Sequence, residues 1–153
     1  LIFLGNNIEN KKGDILNLNQ KIYKRFYKFN DFQFIAMGTK EIKMQVDELV
    51  AQLQKGTNTE MTKWFFLLQD AKYSKNLFES LGTDFKFDEL NGSPYVFIID
   101  KKGFLRGRND SDGIKFGYDM RSVAELNNYM VDDVKIILAE YRLALKKNNT
   151  FDN

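Results

Sequence analysis

The feature of this sequence that most constrains its fold is the alternation of short apolar runs with helical patterns. Predominantly apolar runs at residues 1–4, 32–37 and 64–68 predict buried strands. Apolar residues spaced three or four apart follow each run and predict amphipathic helices. Because buried strands joined through helices pair in parallel by right-handed crossovers, we expect a parallel sheet with helices on both faces.

Capping residues predict where these helices begin and end. Asp14 and Asp70 are expected to cap the N-termini of the first and third helices, and Gly56 is expected to stop the second. The Ser-Val-Ala-Glu sequence that begins at Ser122 has the spacing of a capping box. A long C-terminal helix is therefore predicted over residues 122–146.

A hairpin is predicted before that helix. The segments at residues 94–99 and 104–108 flank an Asp-Lys-Lys-Gly turn, and together with the helix they predict a C-terminal ββα unit. The whole pattern predicts a single α/β domain over residues 1–147, in the plan of a thioredoxin-like α/β/α sandwich, followed by a polar tail at residues 148–153. The sheet is expected to be mixed and mostly parallel, with one sheet containing the strands at 1–5, 32–37, 95–99 and 104–108.

The composition restricts the chemistry that is available. The chain has no histidine and no cysteine, so it lacks the residues of Ser-His-Asp and Cys-His nucleophiles, thiol redox centres, disulfides and ordinary zinc or copper(II) sites. We expect no catalytic residue, no metal site and no cofactor, although a carboxylate-based hydrolase stays open. A net charge of +2 implies no basic face for nucleic acid, and no apolar run approaches the length of roughly 20 residues that spans a membrane.

Four segments of the chain suggest a family. The opening Leu-Ile-Phe-Leu-Gly run, the run that begins at Trp64, the strand-turn-strand segment at residues 94–103 and the helix after it occur in a matching order. They resemble the Sco/SenC family of thioredoxin-like copper-handling proteins, in which the first strand leads into a Cys-x-x-x-Cys loop. The resemblance implies a three-layer thioredoxin-like sandwich and a bacterial protein of the cell envelope or periplasm, exported or membrane-anchored.

The positions of the family's metal ligands carry other residues here. An ungapped match of the first strand places the two family cysteines at Glu9 and Gly13. The family's copper-binding histidine, just before the fourth-strand motif, falls near Gly92. The resemblance therefore implies a degenerate, non-catalytic member that acts by binding an unknown protein partner. The alternative is a copper-delivery or redox-assembly protein with atypical ligands, such as Glu9 together with methionine side chains.

The one proline of the chain, Pro94, follows Ser93 directly before a predicted strand, which suits the first position of a strand. In the thioredoxin-like folds that the chain resembles, the corresponding proline is typically cis, and its loop lies beside the active-site loop. A trans proline that simply begins a strand is the alternative.

Three further features have simple structural alternatives. Residues 108–113 are similar to a calcium loop, but Arg108 stands where such a loop begins with Asp, so a solvated connection is favoured. The loop at residues 9–12 is suited to a small anion or a partner's carboxylate, and the alternative is a loop that has drifted after losing its metal. Because the sequence opens at Leu1 in a strand-like run, we expect an upstream segment such as a signal or an anchor.

Overall fold

The computed structural model describes residues 1–151 as a mixed α/β fold around a parallel, three-stranded sheet. The sheet order is β1-β2-β3, and the register places Ile2 opposite Ala36 and Phe34 opposite Trp64. The three apolar runs predicted as strands are thus confirmed. Their bounds are Ile2–Gly5 for β1, Phe34–Thr39 for β2 and Trp64–Gln69 for β3.

Helices connect these strands and end the chain. Short 3-10 turns precede the first two connections, at Glu9–Lys11 and Lys40–Ile42, and π-helical turns occur at Asn19–Tyr23 and Leu126–Met130. The α-helices are α1 Lys12–Leu18, α2 Lys24–Phe26, α3 Lys43–Thr57, α4 Ala71–Ser80, α5 Val123–Glu125 and α6 Val131–Phe151. Within the described residues, none of these helices is both long enough and apolar enough to cross a bilayer.

Six short strands form antiparallel pairs outside the main sheet. The pairs are β4 with β9, β5 with β6, and β7 with β8. Their bounds are β4 Tyr95–Val96, β5 Ile98–Ile99, β6 Leu105–Arg106, β7 Arg108–Asp110, β8 Gly113–Lys115 and β9 Tyr118–Asp119.

The sequence predicted that residues 95–99 and 104–108 join the main sheet as two continuous strands. Instead, the first of these segments changes partner along its length, because β4 pairs with β9 whereas β5 pairs with β6. Backbone bonds nevertheless join it to β1: Ser93 N donates to Phe3 O at 3.0 Å, and Phe97 N donates to Leu1 O at 3.0 Å. These bonds align residues 93–97 antiparallel to the edge of β1 that faces away from β2.

Apolar side chains pack on both faces of β1, since successive residues of a strand point to opposite sides. Ile2 and Leu4 belong to a large core that also receives side chains from α1, α3 and α6. Phe3 belongs to a smaller core with Phe78 of α4 and Phe97. The crossovers after β1 and β2 therefore contribute to one core, and the crossover after β3 contributes to the other.

The cap predicted at Asp14 is wrong. A 3-10 turn precedes the first helix, so α1 already begins at Lys12, and Asp14 lies inside its first turn. The side-chain acceptor at this end is Asn7, whose Oδ1 accepts the N–H of Glu9 at 3.0 Å. An Asp inside the first turn has no free N–H two or three residues ahead of it that needs a cap.

The other helix boundaries agree with the sequence in part. Ser122 caps α5, since its Oγ accepts the N–H of Glu125 at 3.1 Å. Asp70 occupies the N-cap position of α4, but its side chain makes no capping bond. Gly56 does not stop α3, which runs to Thr57 and ends at Asn58 in the left-handed conformation with φ of 50°.

Two polar segments are more ordered than predicted. Residues 108–113 contribute to a β-hairpin in which Lys115 Nζ pairs with Asp110 Oδ2 at 2.6 Å, instead of a solvated loop. In the segment predicted as a tail, α6 continues to Phe151, and the Thr150 hydroxyl donates to the Lys146 carbonyl at 2.8 Å. The last two positions of that predicted tail, 152 and 153, lie outside the described residues.

A buried polar network ties the first helical segment to β3. Trp64 Nε1 donates to Asn19 Oδ1 at 3.0 Å, and Asn19 Nδ2 donates to Leu53 O at 3.3 Å and to Thr57 Oγ1 at 3.2 Å. Asn19 lies in the large core, where an unpaired polar group is costly. The network therefore fixes how the helices after β1 and β2 sit on the sheet.

We expect Asn19→Ala to lower the free energy of unfolding by about 2 kcal/mol, because it leaves the buried Trp64 N–H without an acceptor. Asn17→Ala, two residues earlier at a half-buried position of α1, is the matched control and should change it by less than about 0.5 kcal/mol. Urea denaturation of the two variants measures the difference. Equal effects would contradict the network's role.

Candidate functional site

Two loops meet at the carboxyl end of β1. The first follows β1 into the 3-10 turn, and the second comprises residues 84–93 and leads into β4. Asn6 N donates to Leu90 O at 2.9 Å across the junction. Because residues 93–97 run antiparallel to β1, the second loop arrives at the end of β1 from which the first loop leaves. Of the three candidate positions, Glu9 lies in the first loop, Gly92 lies in the second, and Gly13 lies in the first turn of α1.

Glycines permit the close approach of the two backbones. Gly5 has φ of 78°, and a Cβ added to it would lie 2.2 Å from Leu90 O. A Cβ added to Gly92 would lie 3.0 Å from Gly5 N and 3.0 Å from Leu4 O. Any side chain at Gly92 would therefore separate the loops, so the glycine at this position serves the packing of the two loops.

An ion pair joins the same two loops. Lys11 Nζ lies 2.7 Å from Asp88 Oδ2, and the Lys11 side chain is only 3% exposed. The other carboxylate oxygen, Oδ1, accepts the N–H groups of Leu90 at 2.9 Å and Gly92 at 3.1 Å. Asp88 thus shapes its own loop with one oxygen and holds the opposite loop with the other.

The electrostatics of Asp88 agree with this arrangement. Partial burial acts to raise the pKa of the carboxyl group, but hydrogen bonds from Lys11, Gly92 and Leu90 and the charge of Lys11 outweigh it, so the pKa lies below its ordinary value. The folded structure therefore favours the ionised form of Asp88.

The two positions that match the family cysteines lie at the surface. The Glu9 side chain is 62% exposed and pairs with Lys12 Nζ at 3.0 Å, one turn along the chain. Gly13 is exposed, and a Cβ built on it would meet no atom within 4 Å. Among residues 1–151, no three or more Asp and Glu side chains come together in a metal-binding group.

Ser93 and Pro94 lie where the second loop enters its strand. Ser93 is fully buried, and its Oγ accepts the N–H of Tyr95 at 3.1 Å. The Pro94 carbonyl accepts the N–H of Met120 at 3.0 Å, which ties the loop to β9. The Ser93–Pro94 bond is trans, as is every other peptide bond within the described chain, so the alternative of a strand-starting trans proline describes this position.

Charged residues of both signs surround the junction. The Arg121 guanidinium donates to both carboxylate oxygens of Asp119 at 2.9 Å, directly after β9. Burial raises the pKa of Asp14, and Asp119 adds to the rise, while Arg121 and Lys11 oppose it. The rim of the junction therefore presents carboxylates and cations together.

The sequence does not predict the ion pair between buried Lys11 and half-buried Asp88. Asp88 stands two and four residues before Leu90 and Gly92, a spacing typical of an Asp side chain that accepts bonds from its own turn. That signal identifies the turn only. Nothing in the sequence indicates that the distant Lys11 is buried against it, since lysine is almost always exposed.

A second polar cluster joins α6 to the hairpin of β7 and β8. Tyr118 Oη donates to Asp133 Oδ2 at 2.7 Å, and Arg108 Nη1 donates to Asp133 Oδ1 at 3.2 Å. Burial raises the pKa of Tyr118, and the adjacent Asp133 raises it further, so the phenol stays a neutral donor. Both oxygens of Asp133 are engaged, and the cluster acts as a structural link.

An apolar cavity of about 630 Å³ lies at the opposite end of the sheet. Phe34, Ile99 and Met130 are among the residues that line it. The backbone nitrogen of Leu1 lies in this region and donates to Phe97 O at 2.8 Å. The cavity is therefore remote from the junction of the two loops.

No family model, no curated protein and no solved structure matches this chain.

We expect Lys11→Met to lower the free energy of unfolding by about 2 kcal/mol, because it removes a charged hydrogen bond from Asp88 while preserving most of the buried stem. Lys12→Met is the matched control, since its exposed pair with Glu9 contributes within about 0.5 kcal/mol. The depressed pKa of Asp88 gives the stabilisation a pH dependence.

Stabilisation from a carboxyl group with a lowered folded-state pKa is present above its unfolded value, about 3.9, and is lost as the pH falls through the folded value. The difference between wild type and Lys11→Met should therefore be constant near neutral pH and shrink below about pH 4. Urea denaturation between pH 7 and pH 3 measures it. A difference that grows on acidification would contradict the role of the pair.

A second prediction concerns the N-terminus of α1. Because burial raises the pKa of Asp14, the folded state disfavours its charge, and Asp14→Asn should not lower the free energy of unfolding at pH 7. Ser122→Ala should instead cost about 1 kcal/mol, because Ser122 is a true cap. Thermal or urea unfolding compares the two. A loss of about 1 kcal/mol for Asp14→Asn would contradict this prediction, because the charge of Asp14 would then stabilise the folded state.

Proposed function

We propose that this chain is a thioredoxin-like domain that acts by binding a protein partner through the junction of its two loops. The order of the strands supports the fold. β1 has parallel β2 on one edge and the antiparallel segment 93–97 on the other, and a hairpin and a long helix follow. This arrangement agrees with the three-layer thioredoxin-like plan implied by the resemblance to the Sco/SenC family.

The observation that carries the proposed function is the closure of the loops by Lys11 and Asp88. In the family that the chain resembles, the corresponding loops carry copper and thiol ligands. Here the equivalent positions are exposed Glu9 and Gly13 and the packed Gly92, while a partly buried ion pair holds the loops together. A loop pair that keeps a fixed shape without reactive groups is suited to recognition, because preorganisation reduces the entropy lost on binding.

The charges at the rim suggest how a partner is selected. Glu9, Lys12 and Asp14 lie on the first loop and α1, and Arg121 interacts with Asp14 from the segment after β9. Exposed charges of both signs favour partners with a complementary pattern and act mainly on specificity and on the rate of association. We propose a protein of the bacterial cell envelope as the partner, on the basis of the family resemblance.

Copper delivery with atypical ligands is the second candidate. It needs methionine sulfurs close to Glu9, but Met37, Met120 and Met130 are buried in the cores. Met44 is exposed on α3, and one exposed thioether is a weak site. The distribution of methionines therefore favours the binding proposal.

Photo-cross-linking in cells tests the binding proposal. A benzophenone amino acid replaces Glu9 in one variant and Lys102 in another, and Lys102 is the matched control because it is exposed on the β5–β6 turn, which lies at the other end of the sheet. We expect a discrete protein adduct from position 9 that Arg121→Glu weakens. Equal labelling from both positions would contradict the proposal.

A copper titration distinguishes the two candidates. The purified chain should bind copper(I) and copper(II) no more tightly than a generic acidic surface, because soft and imidazole donors do not converge at Glu9. Stoichiometric, submicromolar binding that Glu9→Ala abolishes would favour copper delivery instead.

A further inference from the structure

The outer strand of the main sheet lacks the features that normally protect a sheet edge. In the described part of the chain, β3 pairs with β2 alone. Its six residues contain no charge, no proline and no glycine. Natural edge strands are usually short or carry lysine, proline or a bulge, because free backbone groups and apolar side chains invite pairing with another strand.

The register identifies the groups that are free at this edge. Phe34 N donates to Lys63 O at 2.8 Å, and Phe34 stands opposite Trp64. In a parallel ladder, alternate residues bond to the same neighbour, so the odd-numbered residues of β3 bond to β2. The N–H and C=O groups of Phe66 and Leu68 therefore point away from the sheet.

The side chains of β3 also leave an apolar surface. Trp64 is buried, whereas Phe65 is 46% exposed and Leu67 is 45% exposed. These two side chains lie on the same face, because residues two apart in a strand share a face. The free edge and the exposed apolar face of β3 together favour pairing with another strand.

We propose that a second copy of this chain pairs with β3 in an antiparallel ladder about a two-fold axis at Phe66. In this register, each Phe66 exchanges backbone hydrogen bonds with Phe66 of the other copy. Each Phe65 stands opposite Leu67 of the other copy on the exposed face, which gives two apolar cross-strand pairs. The two sheets become one continuous six-stranded sheet.

The strand is complementary to itself in this register and in no neighbouring one. With the axis at Phe66, Lys63 stands opposite Gln69, so no like charges face each other. With the axis at Leu67, Phe65 would face Gln69. With the axis at Phe65, Lys63 would face Leu67. This self-complementarity favours a second copy over an unrelated strand, and closed two-fold pairs are the commonest protein assemblies.

Molar mass from light scattering tests the proposal. We expect the wild-type chain to approach twice the monomer mass as its concentration rises. Phe65→Lys with Leu67→Lys should give a monomer of unchanged fold by circular dichroism, because four cations would then face each other across the axis. Ile136→Lys with Leu143→Lys, at apolar positions on α6 that are somewhat more exposed, is the control and should leave the dimer intact.

Cross-linking tests the register, since the chain has no native cysteine. Phe65→Cys and Leu67→Cys are made as single variants, mixed and oxidised. Residues in a non-hydrogen-bonded antiparallel pair lie about 4.5 Å apart at Cα, which is within disulfide range. The mixture should therefore form a covalent dimer several-fold faster than either variant alone.

Three results would overturn the proposal. The first is a chain that stays monomeric at every concentration. A monomer whose β3 instead pairs with a strand of a different protein is included in this result. The second is a dimer that the lysine substitutions in β3 do not weaken. The third is a mixture of the cysteine variants that forms disulfides no faster than each variant alone.

Discussion

The ion pair between Lys11 and Asp88 is the interaction on which the candidate site depends. It joins residues 77 positions apart in sequence, and it does so where the chain leaves β1 and where it returns beside β1. The same carboxylate accepts the N–H groups that turn the second loop, so the shape of that loop and its attachment to the first loop are coupled. Gly5 and Gly92 then let the backbones touch.

The rest of the fold brings the two loops to one place. The crossovers after β1 and β2 contribute their helices to the large core, and the crossover after β3 contributes α4 to the small core. The chain therefore crosses from one face of the sheet to the other after β3. It then returns along the edge of β1 that faces away from β2. The bond between Trp64 and Asn19 fixes the first helical segment against the outermost strand, which holds the start of α1 in position.

The sequence predicts the elements of this fold that depend on local patterns. The apolar runs identify β1, β2 and β3, and the Ser122 cap begins the C-terminal helix. The sequence does not predict features that depend on contacts with residues far away in the chain. The segment 95–99 divides because its neighbours change along its length, and Lys11 is buried because Asp88 is available 77 residues later. The candidate positions Glu9, Gly13 and Gly92 follow from the family resemblance. The ion pair between Lys11 and Asp88 produces no periodic pattern in the sequence that would predict it.

A double-mutant cycle between Lys11 and Asp88 tests this account most directly. Lys11→Met, Asp88→Asn and the double variant are compared with wild type by urea denaturation at pH 7. The account predicts a coupling free energy of about 1–3 kcal/mol, in the range for residues that share a buried charged hydrogen bond. Additive effects, with a coupling of less than about 0.3 kcal/mol, would contradict it, because the two loops would then be held together by something other than this pair.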